Sequence, residues 1–320
     1  MSTPRCSLKR KIMASESPFH EGELEVQKRA GEEAAAEANS AMIADKLYAG
    51  ALNFIRQQRM AILSTRDSGG NRWASVVFGP KGFLEPSDRE TLHIAVPTEE
   101  RDARDPLWQN LQSDTRLGIL VIELANRRRL RINGDARVTD SEILVNVTQS
   151  FPNCPKYITK REIEVELAEA PGAQLKVSEG TTLPARLQKM VAAADVLFLA
   201  TGHAQRGNDA SHRGGSPGFV EVVDKRTLRI PDYPGNGLFN SLGNVVGDPQ
   251  VGLLIPDFEY GHQLQLSATA RILWDQSDAE GKTGGTNRFI EFTIAHWLER
   301  PLPARIKSSV VSYSPYNPAS

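Results

Sequence analysis

Ser211, His212 and Arg213 stand together just before Gly214-Gly215, in the stretch Gly207-Asn208-Asp209-Ala210-Ser211-His212-Arg213-Gly214-Gly215-Ser216-Pro217-Gly218-Phe219. A hydroxyl, an imidazole and a guanidinium, with glycines that let backbone N–H groups come close, are groups that hold anions. Arginine suits phosphate because its planar fork offers parallel donors. The plain alternative is a flexible surface loop, although a loop has no need of this cluster. A second stretch, Ile230-Pro231-Asp232-Tyr233-Pro234-Gly235-Asn236-Gly237-Leu238-Phe239-Asn240-Ser241-Leu242-Gly243-Asn244, reads as a strand, a glycine-containing turn and a short helix. A helix N-terminus offers unpaired N–H groups to phosphate, and Asn236 and Asn240 would add side-chain amides. Helix caps and turns use the same residues. Beside the Arg213 stretch, this one points to a phosphorylated cofactor.

Other residues carry weaker signals. Arg127-Arg128-Arg129 with Arg131 forms a basic run before a strand. It reads either as a solvated hairpin tip or as a tip that sends one arginine into a cleft. Cys154 lies in Asn153-Cys154-Pro155-Lys156-Tyr157-Ile158. Lys156 nearby would favour a thiolate, but no partner histidine is evident, and the residue reads as structural or as part of a cofactor wall. His20 reads as a packing or capping residue of a segment folded onto the rest. Gly281-Lys282-Thr283 lacks the earlier glycine of a phosphate loop, since that position is Gln276. No His-Glu-x-x-His, Cys-x-x-Cys or Gly-x-Ser-x-Gly is present, so neither a zinc hydrolase nor an α/β-hydrolase is supported.

The elements that must position these residues come in two similar sets. Leu63-Ser64-Thr65 corresponds to Leu199-Ala200-Thr201, and Thr91-Leu92-His93-Ile94 to Thr227-Leu228-Arg229-Ile230. Leu107 to Leu111 corresponds to Leu238 to Leu242, Leu117 to Leu120 to Val251 to Leu254, and Gly134 to Arg137 to Ala268 to Arg271. Two related domains pack like a homodimer, and clefts between domains are common ligand sites. The stretch 207–219 stands where the first copy has only Gly70 to Ser75, which reads as an insertion between the second copy's first two strands. The first copy lacks the Ser-His-Arg cluster, although Arg72 and Trp73 could reach across the seam.

Periodicity predicts helix around Glu32 to Ala38 and from Ala41 to Arg59, where Ile43, Leu47, Phe54 and Ile55 make one buried stripe. Strands follow at 61–65, 73–78, 91–96, 117–124 and 130–138, with a short helix at 106–111. Further strands are expected at 143–147 and 163–167, a loop at 170–182 and a helix at 184–194. Short strands with one small inserted helix suggest a barrel. The division is a disordered tail at 1–16, a first helix plus barrel at 17–140, a connector at 141–182, and a second helix plus barrel with a C-terminal tail at 183–320.

A net charge of −1 gives no pull toward nucleic acid or an acidic membrane, and no apolar run is long enough to span a bilayer. Cys6 and Cys154 match no disulfide or metal spacing, which suits a reducing, cytoplasmic setting. Arg5, Lys9, Arg10 and Lys11 without an acid leave a mitochondrial presequence as the alternative to a disordered tail.

The segments Ser17 to Glu23, Asn153 to Ile158, Asp209 to Phe219, Pro231 to Asn240 and Ser314 to Pro318 together resemble the pyridoxamine 5'-phosphate oxidase-like FMN-binding split-barrel superfamily, in a tandem subgroup. The resemblance covers about residues 17 to 318. It implies a mainly β fold with flanking helices, in which two tandem split β-barrels form an intrachain pseudo-dimer. It also implies FMN at the seam, held mainly by the second barrel. Ser211, His212 and Arg213 would lie on the strand touching the flavin and its phosphate, and Pro231, Asp232 and Tyr233 on the next. Asn236 and Asn240 fall where many members carry a hydroxyl and a lysine. The implied activity is a flavin-dependent oxidoreductase with a small-molecule substrate, His212 moving protons, and electrons from NAD(P)H or a separate reductase. A non-catalytic flavin-binding module, or a haem-binding one using His203 or His212, is the alternative. The chain would be a monomer with paired barrels or a homodimer. The basic substrate site of the true oxidase has no match here.

Overall fold

The computed structural model describes residues 17–166 and 177–318. The expected tail at 1–16 and the part of the expected loop at 170–176 lie outside the described residues. Strands β1 (Met60–Arg66), β2 (Arg72–Phe78), β3 (Leu84–Pro86), β4 (Thr91–Ala95), β5 (Arg116–Glu123), β6 (Arg128–Val138) and β7 (Glu142–Pro152) form one antiparallel sheet in the order β2-β1-β5-β6-β7-β4-β3. After β8 (Lys160–Glu166) and β9 (Ser178–Gly180) come β10 (Val196–His203), β11 (Gly207–Gly214), β12 (Glu221–Val222), β13 (Thr227–Pro231), β14 (Gln250–Asp257), β15 (His262–Leu273) and β16 (Phe289–Pro301). The second sheet runs β11-β10-β14-β15-β16-β13-β12, the same path as the first. A last strand, β17 (Arg305–Ser312), pairs with β8 as a separate ribbon. Helices α1 (Glu21–Ala30), α2 (Glu33–Ser40), α3 (Leu52–Gln57), α4 (Pro106–Ser113), α5 (Ala185–Ala193) and α6 (Asn240–Gly247) flank the sheets. No helix among the described residues is long and apolar enough to cross a membrane.

The first strands of each barrel are apolar on both faces because both faces are buried. In β1, Ala61 and Leu63 enter the first barrel's core while Met60 and Ile62 face the second barrel. β10 repeats this, with Leu197 and Leu199 inward and Val196, Phe198 and Ala200 in the seam. Successive side chains on a strand point to opposite faces, so such a strand loses its polar alternation. Across the seam the backbones touch at two equivalent points. A Cβ on Gly118 of β5 would lie 2.6 Å from Asp209 Cα, and one on Gly252 of β14 would lie 2.7 Å from Trp73 Cα. Both long hairpins carry a register shift at the same place, Asn133/Gly134 and Ser267/Ala268.

Four sequence expectations change. First, α2 stops at Ser40, and Ala41 to Tyr48 is not helical, because Ala44 pairs with Ser150 of β7 in both directions and Leu47 N–H donates to Arg89 O. Tertiary pairing overrides helix propensity there. Second, the strand assigned to a connector at 143–147 belongs to β7, between β6 and β4, so the first barrel extends to Pro152. Third, no insertion separates β10 from β11. The turn is Ala204 to Arg206, and the Ser-His-Arg cluster is strand. The constant offset between Thr65/Thr201 and Thr91/Thr227 already leaves no room for one. Fourth, α4 matches α6 three residues later than the sequence landmarks suggest. Asn110 Nδ2 donates to Thr65 Oγ1 at 3.0 Å, and Asn244 Nδ2 donates to Thr201 Oγ1 at 3.0 Å.

Gly252→Ala should lower stability by about 1–3 kcal/mol, the usual cost of overpacking, whereas Gly50→Ala, which meets open space, should stay within about 0.5 kcal/mol. Urea unfolding of both variants checks the close approach; equal midpoints would contradict it.

Candidate functional site: an arginine-lined cleft between the barrels

A cleft of about 610 Å³, partly open to solvent, lies where β6 meets β11 and β13. Arg129 and Arg131 sit two residues apart on β6, so they share a face. Arg129 Nε donates to Cys154 O at 3.0 Å, and its Nη1 lies 3.1 Å from His212 Nδ1 and 3.3 Å from His212 O. Arg131 donates to Asn153 Oδ1 and Asp209 Oδ2, each at 2.8 Å. Arg127 and Arg128 turn elsewhere. Arg127 sits in a left-handed turn and donates to Ile158 O, and Arg128 lies over the Phe54 ring. The basic run therefore sends two arginines, not one, into the shared cleft.

The second barrel supplies Arg213. Its Nε is buried and has no hydrogen-bond partner among the described residues. The two carboxylates closest to this wall are already engaged: Asp209 with Arg131 at 2.8 Å and Asp232 with Arg288 at 3.1 Å. Among the described residues no carboxylate forms a salt bridge with Arg129, Arg213 or Lys156, which line the same cleft. Burial presses Arg129 down to about 10, with Arg131 and Arg213 adding repulsion, and burial lowers Arg213 as well. Both stay charged near neutrality, so the cleft holds an excess of cations. Tyr157 and Tyr233 pack rings 4.6 Å apart on its wall, and burial raises both phenols to about 12.

His212 does not suit the proton-shuttling role expected of it. Arg129 can only donate, so Nδ1 accepts and the ring hydrogen sits on Nε2. Burial first, then Arg129 and Arg213, hold its pKa well below 6.5. A cationic imidazole between two guanidiniums is disfavoured, and His212 is a neutral Nε2–H donor. That Nε2 is buried and has no partner among the described residues. Gly214 leaves room for the ring, since a Cβ there would lie 2.7 Å from His212 Cε1 and 2.1 Å from Tyr157 O.

The remaining expected residues divide. Pro231, Asp232, Tyr233 and Asn236 line the cleft with His212 and Arg213. Asn236 Oδ1 is occupied by Leu238 N–H. Ser211 lies two residues before Arg213 on the same face of β11, but is fully buried, with its hydroxyl on Leu199 O and Ser241. Asn240 donates to Glu23 at 2.5 Å, beneath α1. The N-terminus of α6 is thus taken up by α1, whose capping box pairs His20 with Gly22 N–H and Glu23 with His20 N–H. His203 also lies under α1, stacked on His20 at 4.1 Å, away from the cleft. Arg72 does cross the seam, but into Asn208 and Asp248 rather than the cleft. Arg129, Arg131, Lys156 and Tyr157 were not singled out as site residues. The basic run at 127–131 offered one arginine for the cleft without saying which.

The matching position in the other half is filled. By the shared register, Val76 and Val77 stand where the cleft has His212 and Arg213, and Gln265 stands in place of Arg131. Arg300, 1% exposed, occupies the place of Asn153 and donates to Gln265 Oε1 at 2.9 Å, Asp102 at 2.7 Å and Asp105 at 2.5 Å. That side is a closed ion-pair cluster with its charges balanced.

Residues 50–165 match the profile of the pyridoxamine 5'-phosphate oxidase family. That stretch of the chain is similar to the pyridoxamine 5'-phosphate oxidase family. The matched stretch brings Arg129, Arg131 and Cys154 within the family's domain, and the Arg213 wall lies beyond it. Similar solved structures include HupZ of Group A Streptococcus (13% identity, 41% of this chain and 98% of that one, TM-score 0.29). Others are a FAD-binding protein of Mesorhizobium loti (13%, 39% and 97%, 0.27) and the haem storage protein HutZ of Vibrio cholerae (14%, 42% and 99%, 0.26). Comparison with curated proteins gives no significant match.

Burial and the His203 ring lower His20 from 6.5 to about 4. Folded His20 and His212 bind protons less readily than they do in the unfolded chain, so their contribution is full above 6.5 and is lost as pH falls below it. For His20 the loss reaches on the order of 3 kcal/mol by about pH 4. His20→Asn keeps a capping acceptor and should flatten the acid limb of a melting-temperature profile; an unchanged limb would contradict this. Arg300→Ala should cost about 3–5 kcal/mol by leaving the buried Asp105 without its cation, while Asp102 keeps Arg104, read by thermal unfolding.

Proposed function

We propose that the cleft binds FMN, one molecule per chain, and that the protein is a flavin-dependent oxidoreductase. The observation that carries this reading is the buried, unpartnered Arg213 Nε in a cleft whose cations outnumber its free carboxylates. A phosphate dianion supplies the missing charge and acceptor oxygens, and charge-assisted bonds of this kind are strong. Arg213, Arg129 and Lys156 hold the phosphate in this reading, and His212 Nε2–H is a neutral donor to an oxygen or ring nitrogen. Tyr157, Tyr233, Phe219 and Pro231 give the apolar walls that an aromatic ring system needs. Bound FMN would supply two-electron transfer, which asks the protein for position and electrostatics rather than an acid–base triad. Reduced nicotinamide or a separate reductase is the proposed electron source, and a small molecule the acceptor.

Flavin fluorescence titration of the purified chain tests this, with riboflavin as the phosphate-free control. FMN should bind at one per chain and at least about tenfold more tightly than riboflavin. Arg213→Ala and Arg129→Ala should each weaken FMN by about tenfold or more, since a hydrogen bond to a charged group contributes about 1.5–3 kcal/mol. Equal affinities for FMN and riboflavin would place the phosphate elsewhere.

A further inference from the structure

Cys154 is the one cysteine among the described residues, it is free, and it is partly exposed. It sits just past the end of β7, on the wall of the cationic cleft. Its carbonyl anchors Arg129 Nε at 3.0 Å, and its neighbour Asn153 is held by Arg131. Lys156 and Arg213 line the same space. Beside them His212, 3% exposed, keeps an Nε2 without a partner in the cleft wall. A thiolate is the reactive form of cysteine, and nearby cations favour it. With Asp209 and Asp232 both paired, a thiolate at Cys154 adds negative charge where the wall lacks it.

We propose that Cys154 is a reactive thiol, activated by the cleft's cations, oxidised by hydroperoxides and shielded when an anion fills the cleft. In that step the thiolate sulfur attacks the terminal peroxide oxygen and an S–O bond forms as the O–O bond breaks. The departing alkoxide or hydroxide takes a proton from water. Sulfur loses two electrons to the peroxide, and the product is a sulfenic acid. The argument rests on the charge of the cleft and holds whichever phosphorylated ligand occupies it.

The test uses the full chain with Cys6→Ser, which leaves Cys154 as the sole cysteine. Alkylation by iodoacetamide at neutral pH is followed by mass spectrometry, with the same chain in denaturant as the reference. The native chain should react at least about tenfold faster than the unfolded one, and Arg129→Gln or Lys156→Gln should lower that rate several-fold. Inorganic phosphate should slow alkylation, and hydrogen peroxide should give a product trapped by dimedone at Cys154. A native rate no higher than the unfolded one, or a rate indifferent to both substitutions, would overturn the proposal. Indifference to phosphate would overturn the shielding. No flavin enters these measurements, so a fast thiol in a chain that never takes FMN would count against the flavin reading alone.

Discussion

Everything at the cleft depends on the apolar seam between the barrels. Arg129 and Arg131 come from one barrel and His212 and Arg213 from the other, so no single barrel contains the site. The seam is made of Ile62, Val76, Phe78 and Leu120 on one side and Phe198, Ala210 and Leu254 on the other. Its closeness is set by Gly118 and Gly252, where any side chain would push the backbones apart. Core packing is dense and poorly compressible, so a shift at these glycines would reach the arginines as a change in their spacing.

The two halves share one framework and treat charge in opposite ways. In one half the strand pair offers Arg131 to Asn153, and in the other Arg300 to Gln265, with arginine and amide exchanged across the hairpin. Arg300 is met by Asp102 and Asp105 and closes its own space. Among the described residues Arg129 and Arg213 form no salt bridge with a carboxylate, and their space stays open. Burying cations without counter-charges is costly. Perturbed groups of this kind mark candidate functional sites, which is why the cleft carries the proposed anion.

The N-terminal strap adds a second buried polar layer. His20 caps α1, stacks on His203 and bonds Asn244, while Glu23 takes Asn240. Burial raises Glu23 to about 7 and lowers His20 to about 4, so the imidazole is neutral near neutrality and the carboxyl binds a proton far more readily than an exposed one. The strap thereby occupies the helix end that the sequence offered as a phosphate cradle, and the cations that line the open cleft are side chains from β6 and β11, with Lys156.

The sequence by itself determined the β character of the chain, most strand positions and the cluster that ends in Arg213. Those features are local: alternation, turn residues and side-chain chemistry are written within a few positions. It also exposed the equivalence of Thr65 and Thr201, which accept from the equivalent asparagines Asn110 and Asn244 in the fold. Only the tertiary structure decided which of those polar residues face the cleft. Ser211 and Arg213 lie two apart on one face of β11, yet the hydroxyl is spent on Ser241 while the Arg213 Nε has no partner among the described residues, because α6 covers the first and the second lines the cleft. Asn240 went to Glu23, more than two hundred residues away in the chain, and Arg129 came to His212 across the seam. Such pairings depend on how two barrels meet, and contacts between distant segments leave no spacing in one sequence to read.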